Sequence, residues 1–164
     1  MIARPGKEEY YLRLAEEVSA RSTCRRKRFG AVIVRDDQII STGYNGAPRG
    51  TPNCIELGVC PRDAAGIPAG QRYELCRSVH AEANAIIHAA RREMLGGELY
   101  LACVDAKTGD LVSGARPCKM CTRFIINAGL VRVVVREGEG RFTRYDVSGW
   151  VMEDTGKVDQ DSGY

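Results

Sequence analysis

The stretch "CKMCTRFIINAGLVRVVVRE", residues 118–137, decides the fold class. Its first half predicts a helix, with Pro117 before its start and Gly129 at its close. Its second half is a nearly continuous β-branched run, which is typical of a strand buried on both faces. Upstream, "ELYLACV", residues 98–104, predicts another strand. The order strand, helix, strand indicates a parallel βαβ unit with helices packed over a sheet.

The N-terminal region predicts a helix followed by a hairpin. Residues 7–21 place apolar side chains three and four positions apart, which is typical of an amphipathic helix. Residues 29–34 and 39–42 are two β-rich runs joined by an Asp-Asp turn, which indicates a hairpin.

The middle of the chain is irregular and then helical. Residues 43–78 hold glycines, prolines and three cysteines with little periodicity, so this stretch needs a functional or metal-based reason to be ordered. Residues 80–94 predict one continuous helix, capped by Ser78 and ended by Gly96 and Gly97.

Composition favours a single soluble domain. The chain has 164 residues, of which 44% are hydrophobic and 27% are charged. No run approaches the roughly 18 apolar residues of a membrane helix, and the N-terminus lacks the apolar core of a signal peptide. We therefore expect a cytoplasmic protein with no membrane partner. Residues 1–152 are expected to form the domain, and residues 153–164, with four acids and one lysine, an acidic flexible tail.

The charge is small but unevenly distributed. The formal net charge of +3 is too small to imply nonspecific binding to nucleic acid, so no nucleic-acid partner is expected. Basic residues crowd the stretch "RSTCRRKR", residues 21–28. This cluster suits a small anionic ligand such as a phosphate, although a solvated turn would have the same composition.

Histidine, glutamate and cysteine recur at two predicted helix starts. Seven cysteines without an export signal favour metal binding or catalysis over disulfides. His80 and Glu82 lie at one helix start, and Cys118 and Cys121 lie at the next. Alone, a Cys-x-x-Cys pair could be a redox pair or half of a zinc knuckle, and a lone histidine is more often a core residue. Together, one imidazole and two thiols suit zinc with an open fourth position, which is the catalytic arrangement.

The pattern His-x-Glu followed by Pro-Cys-x-x-Cys is typical of zinc-dependent nucleobase deaminases. Zinc lowers the pKa of a bound water to about 7, and a carboxylate beside it can take that proton. The same carboxylate can return protons to the ring nitrogen and to the leaving amine. Glu82 is therefore the candidate general acid and base.

Four stretches, "TCRRKRFGAVIV", "GYNGAPRG", "CRSVHAEANAI" and "RPCKMCTRFIINAGLVRVVV", resemble deoxycytidylate (dCMP) deaminases of the cytidine deaminase superfamily. The resemblance covers roughly residues 10–137. It implies a single-domain, three-layer α/β/α fold with a mixed sheet of about five strands. It also implies a homo-oligomer, a hexamer in this family, and regulation by dCTP and dTTP.

The resemblance carries roles onto individual residues. It matches His80, Cys118 and Cys121 to the zinc ligands and Glu82 to the proton shuttle. It matches Asn45 to the residue that contacts the sugar and Arg26 to a phosphate-binding arginine, with Ala81 as a further substrate-binding residue.

A second, structural zinc is expected from the same resemblance. Several relatives build this site from cysteines and histidines, one of them shortly before the catalytic histidine. Here Ser78 lies two residues before His80 and no spare histidine is near. The expected substitute is an all-cysteine site made of Cys24, Cys54, Cys60 and Cys76, which would order residues 43–78. The alternative is that these are small buried residues, as we expect for Cys103.

The leading hypothesis is hydrolytic deamination of dCMP to dUMP and ammonia. Other deaminases, acting on cytidine, guanine or adenosine in transfer RNA, are the nearest alternatives. An enzyme acting on transfer RNA would need a broader basic face than this sequence offers. An alternative of a different class is a noncatalytic zinc module that binds nucleic acid or protein, for which Glu82 would have no use.

Overall fold

A computed structural model describes residues 3–68 and 70–154 of the chain. Five strands within these residues form one mixed sheet in the order β2-β1-β3-β4-β5. Strands β3 and β4 run parallel, and the other neighbouring pairs run antiparallel. The predicted mixed sheet and its parallel βαβ unit are confirmed. The strands are β1 (Lys27–Arg35), β2 (Gln38–Tyr44), β3 (Glu98–Asp105), β4 (Arg132–Gly138) and β5 (Arg141–Asp146).

Helices cover both faces of the sheet. Helix α1 packs Leu12 and Ala15 against Val32 on one face. On the other face, α4 and α6 pack Ala85 and Ile125 against the strands. The three-layer α/β/α arrangement is therefore confirmed. The helices are α1 (Lys7–Ser19), α2 (Cys54–Leu57), α3 (Pro61–Ala64), α4 (Ala81–Ile87), α5 (Arg91–Met94), α6 (Lys119–Ala128) and α7 (Val147–Glu153), and a 3-10 turn lies at Tyr73–Leu75.

The predicted hairpin is confirmed, and its turn needs an unusual backbone. Asp36 and Asp37 connect β1 to β2 with φ angles of 49° and 63°. Aspartate tolerates this left-handed region better than most residues, and two such residues in succession match the right-handed twist of a hairpin. The hydroxyl of Tyr11 on α1 donates to Oδ1 of Asp37 at 2.7 Å, which ties the turn to the helix.

The prediction of one helix over residues 80–94 with Ser78 as its cap is wrong in two respects. His80 is itself the N-cap of α4, and the Ser78 hydroxyl donates instead to the carbonyl of Val79. The helix stops at Ile87, and the separate helix α5 follows. The physical reason is a contact between the last turn of α4 and β2. The carbonyl of Ala85 accepts a hydrogen bond from the Ser41 hydroxyl on β2 at 2.7 Å.

A glycine on β2 determines how closely α4 approaches the sheet. A Cβ atom on Gly43 would lie 2.3 Å from the backbone nitrogen of Ala85 and 2.4 Å from the carbonyl oxygen of Ala81. Because real Cβ atoms do not approach backbone this closely, only glycine allows this contact. Gly43 therefore sets the position of the helix that begins at His80.

The C-terminal elements β5 and α7 were not predicted. The rings of Tyr145 and Trp150 lie 5.9 Å apart and pack against the core beneath α6 and β4. Residues 155–164, most of the predicted acidic tail, lie outside the described residues. Among the described helices, none combines the length and apolar character needed to cross a membrane.

Candidate active site

Two helix starts bring one imidazole and two thiols together. His80 is the N-cap of α4, and Cys118 is the N-cap of α6. Nδ1 of His80 lies 3.5 Å from Sγ of Cys118 and 3.4 Å from Sγ of Cys121. Among the described residues, this is the one group of three or more His, Cys, Asp or Glu side chains whose ligand atoms lie within 4.8 Å of one another.

The geometry of this group fits a zinc ion. With Zn–N about 2.0–2.1 Å and Zn–S about 2.3 Å, tetrahedral coordination places nitrogen and sulfur about 3.6 Å apart. The two observed nitrogen–sulfur distances are close to this value. Three protein ligands also leave a tetrahedral position for water, as in catalytic zinc sites.

The two thiols are electrostatically unequal. Hydrogen bonds from the Cys121 thiol and from His80 hold the pKa of Cys118 well below its usual range, although burial opposes this. The same contact with Cys118, together with burial, raises the pKa of Cys121. A thiolate is therefore already favoured at Cys118, and thiolates are the form that binds zinc.

Glu82 lies in the first turn of α4 and is 3% exposed. Burial raises the pKa of its carboxyl group, and the neighbouring His80 only partly opposes this. A carboxyl group with a raised pKa exchanges its proton more readily near neutral pH, as a general acid and base must.

His80, Glu82 and Cys118 line a cavity of about 380 Å³. Among the described residues, six basic side chains line it, and Glu82 is its one carboxyl group. The excess of positive charge suits a ligand that carries a phosphate. The six basic residues are Arg25, Arg26, Lys27, Arg62, Arg77 and Arg116.

The three predicted substrate residues all line this cavity. Ala81 is buried between His80 and Glu82. Asn45 has a structural role as well, because its Oδ1 accepts hydrogen bonds from the Ser22 hydroxyl at 2.6 Å and the Phe29 amide at 2.8 Å. Its Nδ2 donates one hydrogen bond to the carbonyl of Lys27 at 3.0 Å. The second hydrogen of this amide is available to a ligand.

Arg26 enters the cavity from the basic cluster. Its Nε lies 3.2 Å from Oδ1 of Asp63 on α3, and this ion pair orients the guanidinium group. Within the described part of the chain, its Nη1 is buried without a hydrogen-bond partner. A buried donor of this kind favours an anionic ligand.

The four remaining cysteines near the site lie in one region, but in the described structure their sulfur atoms do not form a group close enough to share one metal ion. All four line the same cavity. Burial raises the pKa of Cys54, and the neighbouring thiols of Cys24, Cys76 and Cys60 raise it further. In the described residues they do not form a group within 4.8 Å of one another. Cys103 lies in the core with 0% exposure, as predicted.

Two parts of the cavity wall were not predicted as functional. Arg62 and Tyr73 come from the irregular stretch, where no periodicity marks a buried side chain. Residues 112–116 form the wall beside α6, and Glu137 on β4 holds them: its Oε2 accepts from the Ser113 hydroxyl at 2.8 Å and the Gly114 amide at 2.5 Å. The only available signal was the position of this loop just before Pro117.

Comparison with known proteins agrees with this geometry. Residues 5–137 match the family model described as the cytidine and deoxycytidylate deaminase zinc-binding region. The deoxycytidylate deaminase of Mycobacterium phage D29 is 36% identical over 138 residues, which cover 81% of this chain and 96% of that protein. The deoxycytidylate deaminase of Schizosaccharomyces pombe is 37% identical over 131 residues, and the chain spans only 37% of its length.

One solved structure is similar to this chain in both fold and sequence. The dCMP deaminase of cyanophage S-TIM5, in complex with dCMP and dUMP, is 29% identical with a TM-score of 0.56. The match covers 82% of this chain and 84% of that one. The chain therefore belongs to the family of cytidine and deoxycytidylate deaminases that share this zinc-binding region.

Proposed function

We propose that this protein is a zinc-dependent enzyme that hydrolyses dCMP to dUMP and ammonia. One observation carries the proposal: the group of His80, Cys118 and Cys121 lies at a cavity that is lined by the buried Glu82 and by six basic residues. The relatives named deoxycytidylate deaminase, and the cyanophage enzyme described with dCMP and dUMP, support the same substrate.

In this proposal, His80, Cys118 and Cys121 hold the zinc ion. When bound, zinc supplies a water molecule whose pKa is lowered to about 7. Glu82 moves the protons, because it is the one carboxyl group that lines the described cavity. Its carboxylate takes one proton from the attacking water and gives it to N3 of the cytosine ring as the water oxygen bonds to C4; it then takes the second proton from the new C4 hydroxyl group and gives it to the amine as the C4–N bond breaks. Burial, which raises its pKa, favours both roles.

The remaining substrate contacts follow from the cavity walls. We assign the sugar to the free amide hydrogen of Asn45 and the phosphate to Arg26. Ala81, between His80 and Glu82, packs against the base. Asp63 orients Arg26 through their ion pair.

The substrate assignment is tested by comparing dCMP with deoxycytidine. A charged hydrogen bond to phosphate contributes about 1.5–3 kcal/mol, so kcat/KM for dCMP should exceed that for deoxycytidine by at least about tenfold. Arg26→Ala should lower kcat/KM for dCMP and leave that for deoxycytidine nearly unchanged. Arg21→Ala, in the same basic cluster but outside the cavity wall, is the matched control. Equal values for both substrates would contradict phosphate recognition, and no ammonia from any cytosine compound would favour a noncatalytic zinc module.

A second, structural zinc at Cys24, Cys54, Cys60 and Cys76 belongs to the same proposal. The shared cavity wall and the effect of three of these thiols on the fourth support it. Protein purified under reducing conditions should contain two zinc ions per chain. Cys54→Ala should reduce this number to one, whereas Cys103→Ala, at a buried core thiol, should not. One zinc ion per chain in the unaltered protein would rule out the second site.

Assembly, regulation and location complete the proposal. We propose that residues 1–152 form the deaminase domain of a cytoplasmic homo-oligomer, a hexamer, regulated by dCTP and dTTP. Exposed apolar side chains such as Ile87, which is 70% exposed, are consistent with contacts between copies. Light scattering, and dCMP assays with each triphosphate added, test these statements directly. A monomer that is insensitive to both triphosphates would refute them.

A further inference from the structure

A cation and an aromatic ring pack in series beside His80. This histidine forms the zinc-binding group together with Cys118 and Cys121. The ring of Tyr73 meets the imidazole of His80 edge-on, with centroids 5.3 Å apart and planes at 79°. The guanidinium carbon of Arg62 lies over the same ring, 4.7 Å from its centroid. This column of Arg62, Tyr73 and His80 runs through the wall of the cavity.

A metal-binding histidine is usually held in place by a group that does not itself bind the metal. Such a histidine normally donates its second ring N–H to a carboxylate, a carbonyl or water, which fixes the orientation of the ring. In the described part of the chain, the hydrogen bonds of His80 to protein side chains are made by Nδ1, to the two thiols. The ring of Tyr73, which makes a T-shaped contact with the imidazole, is therefore a protein group that can hold it in place.

The backbone presents Tyr73 at some cost. Arg72, the residue before it, has φ 52° and ψ 50°, in the left-handed region that non-glycine residues seldom adopt. A conformation of this kind is strained and persists only where the surroundings enforce it. The 3-10 turn at Tyr73–Leu75 follows and is closed by the Cys76 amide, which donates to the Tyr73 carbonyl at 2.9 Å.

Arg62 is buried to an unusual degree for a cation. It is 6% exposed, its Nη2 donates to the carbonyl of Pro68 at 3.1 Å, and its Nε has no hydrogen-bond partner in the described structure. A buried cation is costly unless its surroundings compensate it. The face of the Tyr73 ring provides such compensation, because the ring face is negative and attracts a desolvated guanidinium.

We propose that Tyr73 and Arg62 are positioning residues for the zinc site: Tyr73 locks the imidazole of His80 so that Nδ1 faces Cys118 and Cys121, and Arg62 braces Tyr73. This inference rests on the proposed zinc site, and it extends the site to a segment of the chain that holds no residue of the zinc-binding group itself. The hydroxyl of Tyr73 has no part in it, because both contacts are made by the ring.

The test is the zinc affinity of Tyr73 variants in a Cys54→Ala background, which removes the proposed second zinc, measured by competition with a chromophoric chelator. Loss of a group that orients a ligand typically costs about 10–100-fold in metal affinity. Tyr73→Leu should weaken zinc binding by this factor, and in excess zinc it should lower kcat for dCMP with little change in KM. Tyr73→Phe, which keeps the ring, should match the Cys54→Ala protein in both. Tyr10→Leu, at an exposed tyrosine on α1, is the control.

Three results would overturn the inference. Unchanged zinc affinity in Tyr73→Leu would show that the ring does not hold His80. A raised KM with normal zinc affinity would make Tyr73 a wall for the substrate. Failure of Tyr73→Phe would assign the effect to the hydroxyl group.

A second variant guards against misfolding. Arg62→Met keeps the aliphatic stem but removes the charge, so it should also weaken zinc binding, though less than Tyr73→Leu. If Tyr73→Leu does not fold, normal zinc affinity in folded Arg62→Met refutes the brace. Zinc binding is measured without substrate, so this test does not depend on the proposed function. If Tyr73→Leu weakens zinc binding as expected but the unaltered protein does not deaminate dCMP, only the proposed function is refuted.

Discussion

Glu137 lies on β4, outside the cavity, yet its carboxylate holds a loop of the cavity wall. Its Oε2 accepts hydrogen bonds from Ser113 and Gly114, and its Oε1 accepts from the hydroxyl of Thr143 at 3.0 Å. Burial acts to raise the pKa of Glu137, but these hydrogen bonds outweigh it, and the pKa is lowered from its ordinary value of 4.5. The ionised form is therefore the one that stabilises the loop.

The sign of this pKa shift predicts a pH dependence. Because the pKa is lower in the folded protein, the stabilisation is fully present above pH 4.5 and is lost as the pH falls through the lowered pKa. Glu137→Gln should remove this dependence and loosen residues 112–116 at neutral pH. A hydrogen bond to a charged group contributes about 1.5–3 kcal/mol, so hydrogen exchange at the Gly114 amide should become at least about tenfold faster.

A neighbouring carboxylate provides the control for this measurement. Glu139 is exposed on the turn after β4, and Glu139→Gln should leave exchange at Gly114 unchanged. If Glu137→Gln behaves in the same way as this control, the carboxylate does not hold the loop.

At the residue scale, the sequence predicted the groups to which we assign the chemistry. His80, Glu82, Cys118 and Cys121 follow a short spacing at predicted helix starts, and local spacing is visible in a sequence. Tyr73 was not predictable, because its contact with His80 depends on a left-handed backbone at Arg72 and on the packing of an irregular segment.

Among the elements, the contact between α4 and β2 matters most for the site. Helix α4 carries both His80 and Glu82 at its start, and it lies directly on the backbone of Gly43. The fit leaves no room for a methyl group, so the helix cannot shift without moving the zinc-binding group.

Gly43→Ala should therefore displace α4 from the sheet. Overpacking of this kind costs about 1–3 kcal/mol, and we expect that loss of unfolding free energy in chemical denaturation, together with weaker zinc binding. Gly149→Ala is the matched control, because nothing lies within 4 Å of the added Cβ in α7. It should be neutral or stabilising by up to about 1 kcal/mol, as alanine favours helix over glycine. Equal stability of the two variants would show that the contact is not limiting.

The sequence predicted the strands and the helix at the parallel unit because long apolar runs fix both their type and their pairing. The sequence did not predict the features that tertiary contacts determine. The end of α4 at Ile87 depends on hydrogen bonds to β2, and β5, "RFTRYD", is a polar edge strand without a clear apolar alternation. Edge strands of this kind are stabilised by one neighbour only, so their own sequence carries a weak signal.

The whole molecule concentrates its charge where the proposed substrate binds. A net charge of +3 is modest for 164 residues, yet six basic side chains face one cavity. Distant parts of the chain meet there, among them the basic segment at the start of β1, the cysteine-containing segment 54–76, the loop 112–116, and the starts of α4 and α6. This convergence of distant segments could not be read from the sequence except through resemblance to a known family.

The most direct test of the account is the conversion of dCMP to dUMP by zinc-loaded protein, compared with its Glu82→Gln variant. The amide has nearly the same shape as the carboxyl group but cannot accept and return the proton. The unaltered protein should form dUMP and ammonia in equal amounts. Glu82→Gln should keep its zinc and lose activity by about 10²–10⁴-fold. Full activity in the zinc-bound variant, or no dUMP from the unaltered protein, would contradict the account.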